Sequence, residues 1–257
     1  MGEMTTLDGI VLRERLVGEQ DKFIDILTKE RGVLELSVKG ARKINGRSGS
    51  SAQLFAYSRF CMNERKGRLY LNSAEPIHIF YDLRSSLSRI SLASYFAEAA
   101  SFCSPENSQC EDILRLLLNC LHYLEKGTRS EAFLKSLFEL RLMSDSGFMP
   151  DIVGCHSCGA FEPEVLYFSV RNGIYLCSDC HAAVHEGSPE MPDEQYIKLE
   201  LPVLLAMRHI VLADFDRLFN FRVSDGVQEK LSAISEDYLR SHLGRDFRTL
   251  NFYHSIV

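Results

Sequence analysis

The sequence predicts a multi-domain protein with a small N-terminal β-barrel and a mainly α-helical remainder, into which a four-cysteine zinc ribbon is inserted. Strand-length apolar patterns between glycine turns fill the first 80 residues, whereas apolar residues recur with a period near 3.6 from residue 81 onward. Two Cys-x-x-Cys pairs lie between residues 155 and 180. We therefore expect a barrel domain at 1–80 and a helical domain at 81–257, with the zinc finger at 150–186.

The barrel is predicted from five strand patterns separated by turn residues, at 9–17, 22–28, 33–38, 54–61 and 68–72. Gly32 closes the connection between the second and third patterns, and Gly67 closes the connection between the fourth and fifth. Glycine adopts a positive φ angle without strain, so both connections are typical of β-hairpins. Five short strands with such turns favour a small closed barrel, for which the OB-fold is the commonest solution.

The helical remainder is predicted from the spacing of apolar residues. The segment 83–100 has them at helical spacing, and 111–125 is apolar nearly all round, which is typical of a central buried helix. Thr128-Arg-Ser-Glu131 has the pattern of a capping box for a third helix at 132–144. A linker at 187–192 then leads to two further helices, at 203–212 and 227–243.

The two cysteine pairs predict a metal site. Cys155 and Cys158 form the first pair, and Cys177 and Cys180 form the second. A tetrahedral zinc ion requires four sulfur atoms at about 2.3 Å, and each Cys-x-x-Cys turn can direct two of them at one centre. Apolar strand patterns on both sides of Arg171-Asn-Gly173 predict a hairpin that brings the second pair back to the first. Four thiolates leave no position for water, so we expect one structural Zn²⁺ ion.

Other interpretations of these cysteines stay open at the level of sequence. Two disulfides would require an oxidising compartment, and we expect the cytoplasm because the N-terminus does not resemble a signal peptide. A redox Cys-x-x-Cys would lie at a helix N-terminus after a strand, and one pair would suffice. His156, His181 and His185 are alternative ligands, which we expect to be surface residues or donors to the ligands.

The charge pattern predicts a nucleic-acid interface on the barrel. The chain carries 29 Lys and Arg against 35 Asp and Glu, which argues against non-specific nucleic-acid binding by the whole molecule. No acidic residue occurs between residues 36 and 63, where five basic residues fall. Cations neutralise phosphates and aromatic rings stack on bases, so this window has the composition of a single-strand binding site. The candidate contacts are Lys39, Arg42, Lys43, Arg47, Arg59 and Tyr57.

Phe60 is a second candidate for base stacking, although strand alternation lets at most one of Tyr57 and Phe60 be exposed. The alternative for the basic residues is a solvated loop without a ligand. The sequence contains no P-loop, dinucleotide fingerprint, nucleophile elbow or zinc-protease motif. No apolar run has the length that crossing a bilayer requires. We therefore expect a binding protein, and neither an enzyme nor a membrane protein.

Several motifs, in this order along the chain, resemble those of the bacterial RecO family of DNA repair proteins. They are Gly9-Ile-Val-Leu-Arg13, the stretch 23–32, Val38-Lys-Gly-Ala-Arg42, Phe138-Glu-Leu-Arg-Leu142, Gly147-Phe-Met-Pro150, the Cys155-x-x-Cys158-Gly knuckle and Tyr238-Leu-Arg-Ser-His-Leu-Gly244. The resemblance runs from about residue 7 to residue 252. It implies an N-terminal OB-fold, a helical C-terminal domain and an embedded zinc finger.

The resemblance also implies a function. RecO-like proteins bind single- and double-stranded DNA, anneal complementary strands, and act with RecR so that RecA loads on strands coated by single-strand binding protein, in the RecF recombination pathway. They contact the acidic C-terminal tail of single-strand binding protein through the helical domain, and they consume no ATP. The net negative charge of this chain is a departure from the family pattern, and it argues against an extended DNA path across the helical domain. We therefore expect the basic loop of the barrel to make more of the DNA contacts.

Two rival functions belong to other classes. A zinc-ribbon factor in transcription or RNA metabolism would bind one defined sequence or a structured RNA, where RecO-like binding tolerates any sequence. A thiol oxidoreductase would have metal-free cysteines that cycle between oxidised and reduced forms.

Overall fold

The computed structural model describes residues 4–40, 49–187 and 196–257. Its first five strands are β1 (Met4–Val17), β2 (Asp21–Thr28), β3 (Gly32–Val38), β4 (Ala56–Arg65) and β5 (Arg68–Ile79). They form a closed barrel in the order β1-β2-β3-β5-β4. Neighbouring strands are antiparallel except for β3 and β5, which pair in parallel. This closed five-stranded barrel confirms the predicted OB-type architecture.

The barrel interior is filled by the inward residues of alternating strand patterns. Ile24 and Ile26 of β2 and Leu36 of β3 have no exposed surface, and Phe60 of β4 is equally buried. Gly9 lies where β1 passes closest to β2, because a Cβ atom there would be 2.8 Å from the Leu27 carbonyl oxygen. The period-two alternation of the sequence therefore determines which side chains form the core.

The largest differences from the predicted strand boundaries lie at the start of β1, at the turn between β4 and β5, and at the end of β5. β1 begins at Met4, five residues before the predicted start, and pairs with β4 from its first residue. The turn between β4 and β5 is the tight pair Lys66 and Gly67, which both have positive φ angles, rather than the longer connection that was predicted. β5 continues to Ile79 because its pairing with β4 supports a polar stretch that lacks a strong strand pattern.

The helices and remaining strands are α1 (Leu87–Cys103), α2 (Glu111–Lys126), α3 (Glu131–Asp145), β6 (Val165–Ser169), β7 (Ile174–Cys177), α4 (Ser178–Gly187), β8 (Tyr196–Glu200), α5 (Leu201–Leu212), α6 (Phe215–Leu218), α7 (Asp225–Leu243) and α8 (Arg248–His254). The five predicted helices correspond to α1, α2, α3, α5 and α7. The segments α4, α6, α8 and β8 were not predicted.

The contacts between residues divide the chain into two compact units, Met1–Arg129 with Phe247–Val257, and Ser130–Asp246. In the first unit, helices α1, α2 and α8 accompany the barrel. The turn between β2 and β3 packs against the loop that joins α1 to α2, where Val33 N donates to the Ser104 oxygen at 3.1 Å and Cys110 N donates to the Lys29 oxygen at 2.8 Å. The domain boundary at residue 80 stays a prediction.

The second unit combines α3, α5 and α7 with a three-stranded sheet of order β7-β6-β8. Ser130 caps α3 by accepting a hydrogen bond from Phe133 N at 3.3 Å, so the predicted capping box is displaced by two residues. Between α3 and α7, the buried ammonium of Lys135 lies 2.9 Å from Glu139 and 2.7 Å from Glu236. Each buried charge of this network has an opposite partner, so removal of one partner would leave an uncompensated charge between α3 and α7.

No helix in the described ranges is both long enough and apolar enough to span a bilayer.

Candidate metal centre and nucleic-acid interface

The four predicted metal ligands come together at one end of the β6–β7 hairpin. The Sγ atoms of Cys155, Cys158, Cys177 and Cys180 all lie within 4.8 Å of one another. Cys158 Sγ and Cys177 Sγ are 3.7 Å apart, which matches the separation of about 3.8 Å that four sulfurs at 2.3 Å from a tetrahedral ion would have. The cluster can hold a divalent metal ion with four thiolates.

A tight knuckle positions the first pair. Gly159 follows Cys158 with a φ angle of 75°, a conformation that favours glycine, and its N–H donates to the Cys155 oxygen at 2.8 Å. Cys155 N in turn donates to the Ala160 oxygen at 2.9 Å. The chain therefore folds back on itself at Cys155, so that both thiols of the pair face the same side.

The second pair extends from the end of a strand into the first turn of a helix. Cys177 is the last residue of β7, and Cys180 lies in the first turn of α4. This is the position that a redox Cys-x-x-Cys would occupy. Here the two thiols instead meet the first pair, and the 3.7 Å between Cys158 and Cys177 greatly exceeds the 2.05 Å of a disulfide bond. The arrangement favours metal binding over both a disulfide and a two-cysteine redox site.

The protein environment prepares one thiol for metal binding. Burial raises the pKa of Cys155, but hydrogen bonds from the backbone at Cys158, Cys177 and Ser157 outweigh this effect and bring the pKa down to about 6. A hydrogen bond with Ser157 lowers the pKa of Cys180, but hydrogen bonds with Cys158, Cys177 and Cys155 raise it to about 12. A divalent cation that binds the four sulfurs would displace the protons of the thiols.

The alternative histidine ligands are not part of the cluster. His156 is exposed, and its backbone N–H donates to the Tyr175 carbonyl oxygen at 2.9 Å. The ring of His181 stacks on Tyr167 with centroids 3.7 Å apart and meets Tyr196 edge to face at 5.1 Å. The side chain of His185 lies outside the described residues. The metal site is therefore built from cysteine alone among the residues that the structure describes.

Three of the candidate DNA contacts lie on the barrel within the described residues. Lys39 follows β3 and is exposed, and its Nζ lies 2.6 Å from Asp21 Oδ2. Arg59 projects from the outer face of β4 and binds Asp8 through two hydrogen bonds, of 2.8 and 3.1 Å. Tyr57 is half-buried on the same face of β4. Arg42, Lys43 and Arg47 lie outside the described residues.

The structure separates these candidates into two groups. β5 lies between β3 and β4 in the barrel, and no contact among the described residues joins Lys39 to Tyr57 or Arg59. Phe60 is completely buried, so Tyr57 is the member of the pair that can face a ligand. A ring that the sequence did not single out, Tyr70 of β5, is half-buried and close enough to Lys39 to interact with its charge. Its position close to Lys39 becomes apparent only from the parallel pairing of β3 with β5, in which Tyr70 is the partner of Ser37.

Two acidic residues and one buried arginine were also missed. Asp21 accepts hydrogen bonds from Lys39 and from the N–H of Gly40, and both lower the pKa of its carboxyl group. Asp8 forms an ion pair with Arg59, whose Nε lies 2.8 Å from Asp8 Oδ1. Arg208 of α5 looks like a charge that interrupts an apolar stretch, but its side chain is buried. The sequence window without acidic residues did not indicate these two carboxylates, because each belongs to another strand. Asp8 is on β1, which pairs with β4, and Asp21 is on β2, which pairs with β3.

Comparisons with known proteins agree along the whole chain. The family "Recombination protein O N terminal" matches residues 1–80, and "Recombination protein O C terminal" matches residues 84–251. The DNA repair protein RecO of Acetivibrio thermocellus is 31% identical over 244 residues, which are 95% of this chain and 94% of that protein. The protein of the same name from Alkaliphilus metalliredigens is 29% identical over 93% of each chain. Because both parts of the chain match, this protein belongs to the RecO family of DNA repair proteins.

Proposed function

We propose that this protein is a mediator of recombinational repair that binds single- and double-stranded DNA through its barrel and anneals complementary strands. In this role it acts with RecR on DNA coated by single-strand binding protein, whose C-terminal tail it contacts, so that RecA can load in the RecF pathway. It performs this work in the bacterial cytoplasm and without a catalytic step of its own. Family membership and the acid-free basic window between residues 36 and 63 support this proposal.

The proposed DNA site begins where β3 ends. Lys39 stands at this point, and Arg42, Lys43 and Arg47 follow it in the chain. Cations at the rim of a barrel neutralise phosphates and release counterions. The half-buried rings of Tyr57 and Tyr70 could each stack on an unpaired base, with Arg59 adding a further phosphate contact. Screening the phosphates of two strands at once lowers their repulsion, so that bases find their partners without a motor.

The four-cysteine cluster has a separate task in this proposal. One Zn²⁺ ion held by Cys155, Cys158, Cys177 and Cys180 fixes the β6–β7 hairpin against α4 and supplies structural cross-linking only. All four coordination positions are taken by thiolates, so the site offers no place for substrate or water. The metal is expected to maintain the fold of the second unit.

The test is strand annealing on DNA that has been coated with the organism's own single-strand binding protein. We compare the wild type with the variant Lys39→Glu, Arg42→Glu, Lys43→Glu. The rate of annealing should fall strongly. For binding to a bare single strand, the negative slope of log K against log salt should become shallower by about 2, since three phosphate contacts are lost. The readouts are the rate of duplex formation and fluorescence anisotropy of a labelled oligonucleotide.

A matched control reverses three exposed cations elsewhere on the barrel, Arg13→Glu, Lys66→Glu and Arg68→Glu, so that the net charge changes by the same amount. The control should retain most of the annealing activity. Equal losses in both variants would mean that total charge, and not the basic loop, governs binding. Binding of one defined sequence only would contradict the mediator role.

A further inference from the structure

Arg208 of α5 is a buried cation whose partners are almost all carbonyl groups. Only 7% of the residue is exposed. Its Nε donates to the Ile152 oxygen at 2.7 Å, and its Nη2 donates to the oxygens of Val153 at 2.7 Å and Phe161 at 2.6 Å. Nη2 also contacts the Tyr175 hydroxyl at 3.1 Å. Nη1 is buried and lacks a hydrogen-bond partner within the described part of the chain.

No carboxylate within the described residues pairs with this guanidinium. Arg141 of α3 shows the usual alternative: it is also mostly buried, lies 4.7 Å from the Phe215 ring centre and donates to the Ala213 oxygen, but it pairs with Asp145 at 2.9 Å. An uncompensated buried charge costs several kcal/mol in a protein interior. Carbonyl dipoles offset part of this cost, and a nearby negative charge would offset more of it.

The partners of Arg208 belong to the two segments that carry the cysteines. Ile152, Val153 and Phe161 enclose the knuckle that contains the first pair, and Tyr175 precedes Cys177 by two residues. The Tyr175 hydroxyl donates to the Ala160 oxygen at 2.7 Å, so it joins the knuckle and the hairpin. The Tyr175 carbonyl oxygen accepts a hydrogen bond from the backbone N–H of His156 at 2.9 Å, and Cys177 N donates to Cys155 Sγ at 3.3 Å. Arg208 therefore contacts the backbone on both sides of the first cysteine pair and the residue of β7 that pairs with it.

A bound metal ion would supply negative charge to this part of the unit, because four thiolates around one divalent cation carry a net charge of −2. Cys155 and Cys177 are buried whereas Cys158 is exposed, so a cation on the buried side of the cluster would offset the part of this charge that water does not screen. The Phe161 ring lies over the guanidinium, with its centroid 4.1 Å from Cζ, and shields this charge from water on one side. A shielded cation acts at longer range than a solvated one, because water no longer screens it.

We propose that Arg208 is the counter-charge of the four-thiolate metal centre and the positioning residue that holds the Cys155–Cys158 knuckle against α5. This inference rests on the proposed metal site. Groups that surround the ligands of a metal tune its affinity, and their loss typically lowers it about 10- to 100-fold. Arg208 adds to this a geometric role, since its fork binds three carbonyl oxygens that fix the path of the chain on both sides of the knuckle.

The experiment measures Zn²⁺ affinity of the full chain by competition with a chromophoric chelator. We expect Arg208→Met to lower the affinity about 10- to 100-fold, while Arg208→Lys, which keeps the charge but not the fork, recovers part of it. Substitution with Co²⁺ supplies a readout that a purely structural role would not move. Loss of a nearby cation raises the energy of the sulfur lone pairs, so the thiolate-to-cobalt charge-transfer band should shift to longer wavelength in Arg208→Met.

The matched control is Arg141→Met, which removes a buried, ring-stacked arginine from the same unit. It should lower stability but leave Zn²⁺ affinity and the cobalt band at their wild-type values. If Arg208→Met does not fold, Phe161→Ala takes its place, because the Phe161 ring is 56% exposed and can be truncated without opening a core cavity. This variant admits water to the guanidinium and should weaken Zn²⁺ binding several-fold.

Wild-type Zn²⁺ affinity in both Arg208→Lys and Phe161→Ala would overturn the proposal, as would equal affinity in Arg208→Met and the wild type. Failure of the wild-type protein itself to bind Zn²⁺ would instead overturn the proposed metal site. The two failures are distinguishable because the second requires no variant.

Discussion

Two basic side chains on the barrel are less available for binding phosphates than the sequence indicates, because both form ion pairs. Lys39 and Arg59 fall in a stretch of 28 residues without an acid, yet both bind carboxylates that belong to other strands. Exposed ion pairs of this kind contribute little to stability, so a phosphate can replace the carboxylate at small cost. At the proposed DNA site, Asp21 and Asp8 would therefore compete with phosphates for Lys39 and Arg59.

This competition predicts that Asp21→Asn binds DNA more tightly than the wild type. The amide still accepts the hydrogen bond from Gly40, but it no longer holds the ammonium of Lys39, which becomes free to bind a phosphate. We expect an increase in affinity for a single-stranded oligonucleotide of about two- to five-fold at moderate salt. Fluorescence anisotropy measures it.

The control for this prediction is Glu64→Gln, an exposed residue of β4 where the same unit of charge is removed. It should change the affinity less than Asp21→Asn does. An affinity of Asp21→Asn at or below that of the wild type would show that the ion pair does not limit DNA binding.

The sequence predicted those secondary-structure elements that depend on neighbouring residues in the chain, such as turns and amphipathic helices. The turn at Gly32 was predictable because a positive φ angle favours glycine. The helix α2 was predictable from its apolar spacing, but the expectation that it is buried all round was wrong: Arg115 and His122 are exposed on a solvated face, opposite the buried leucines. β8 was not predictable, since its partner β6 lies about 30 residues earlier and no local signal identifies it. α4 was not predicted, because the prediction for this segment used only the spacing of its cysteines, and Cys180 of the sulfur cluster lies in the first turn of the helix.

The sites divide in the same way. Cys-x-x-Cys spacing alone identified all four sulfurs, because the ion imposes both the residue type and the separation. The partners of Lys39, Arg59 and Arg208 depend on which strands and segments are neighbours in space, and a single sequence does not contain that information.

Substitution of Gly32, in the turn between β2 and β3, tests how much stability depends on the backbone conformation of one residue. Gly32 has a φ angle of 61°, and a Cβ atom there would lie 2.1 Å from the Pro105 oxygen. Gly32→Ala therefore combines left-handed strain, about 1 kcal/mol, with a clash against the loop between α1 and α2. We expect a loss of more than about 2 kcal/mol in the free energy of unfolding, measured by chemical denaturation.

Gly18→Ala serves as the comparison, because Gly18 has the same φ angle of 61° but nothing within 4 Å of the added atom. Its loss should be limited to the strain, about 1 kcal/mol. Equal losses for the two variants would mean that the Pro105 loop moves aside freely.

At the scale of the whole molecule, each unit has its own core and its own candidate site. The barrel core lies within the first unit, while the sulfur cluster and the Lys135 network lie within the second. A perturbation of the metal should therefore act on one unit only.

Removal of the metal tests this division. Treatment with a strong zinc chelator should lower the melting temperature and increase amide hydrogen exchange in β6, β7 and α4, because the metal cross-links them. Amides of β2 and β3 should exchange at the wild-type rate. Hydrogen exchange with mass spectrometry provides the comparison, and loss of protection in the barrel strands would show that the two units unfold together.

The third strand of the ribbon sheet has a consequence for anyone who wishes to move this module into another scaffold. β8 pairs with β6 along five residues and continues directly into α5. A fragment of residues 150–186 would contain the four cysteines but not β8. The edge of β6 that pairs with β8 would then be exposed and could pair with another chain in solution. We therefore expect that a graft or a deletion of this module must include the residues up to Glu200 as well as the cysteines. The structural module is longer than its metal-binding motif.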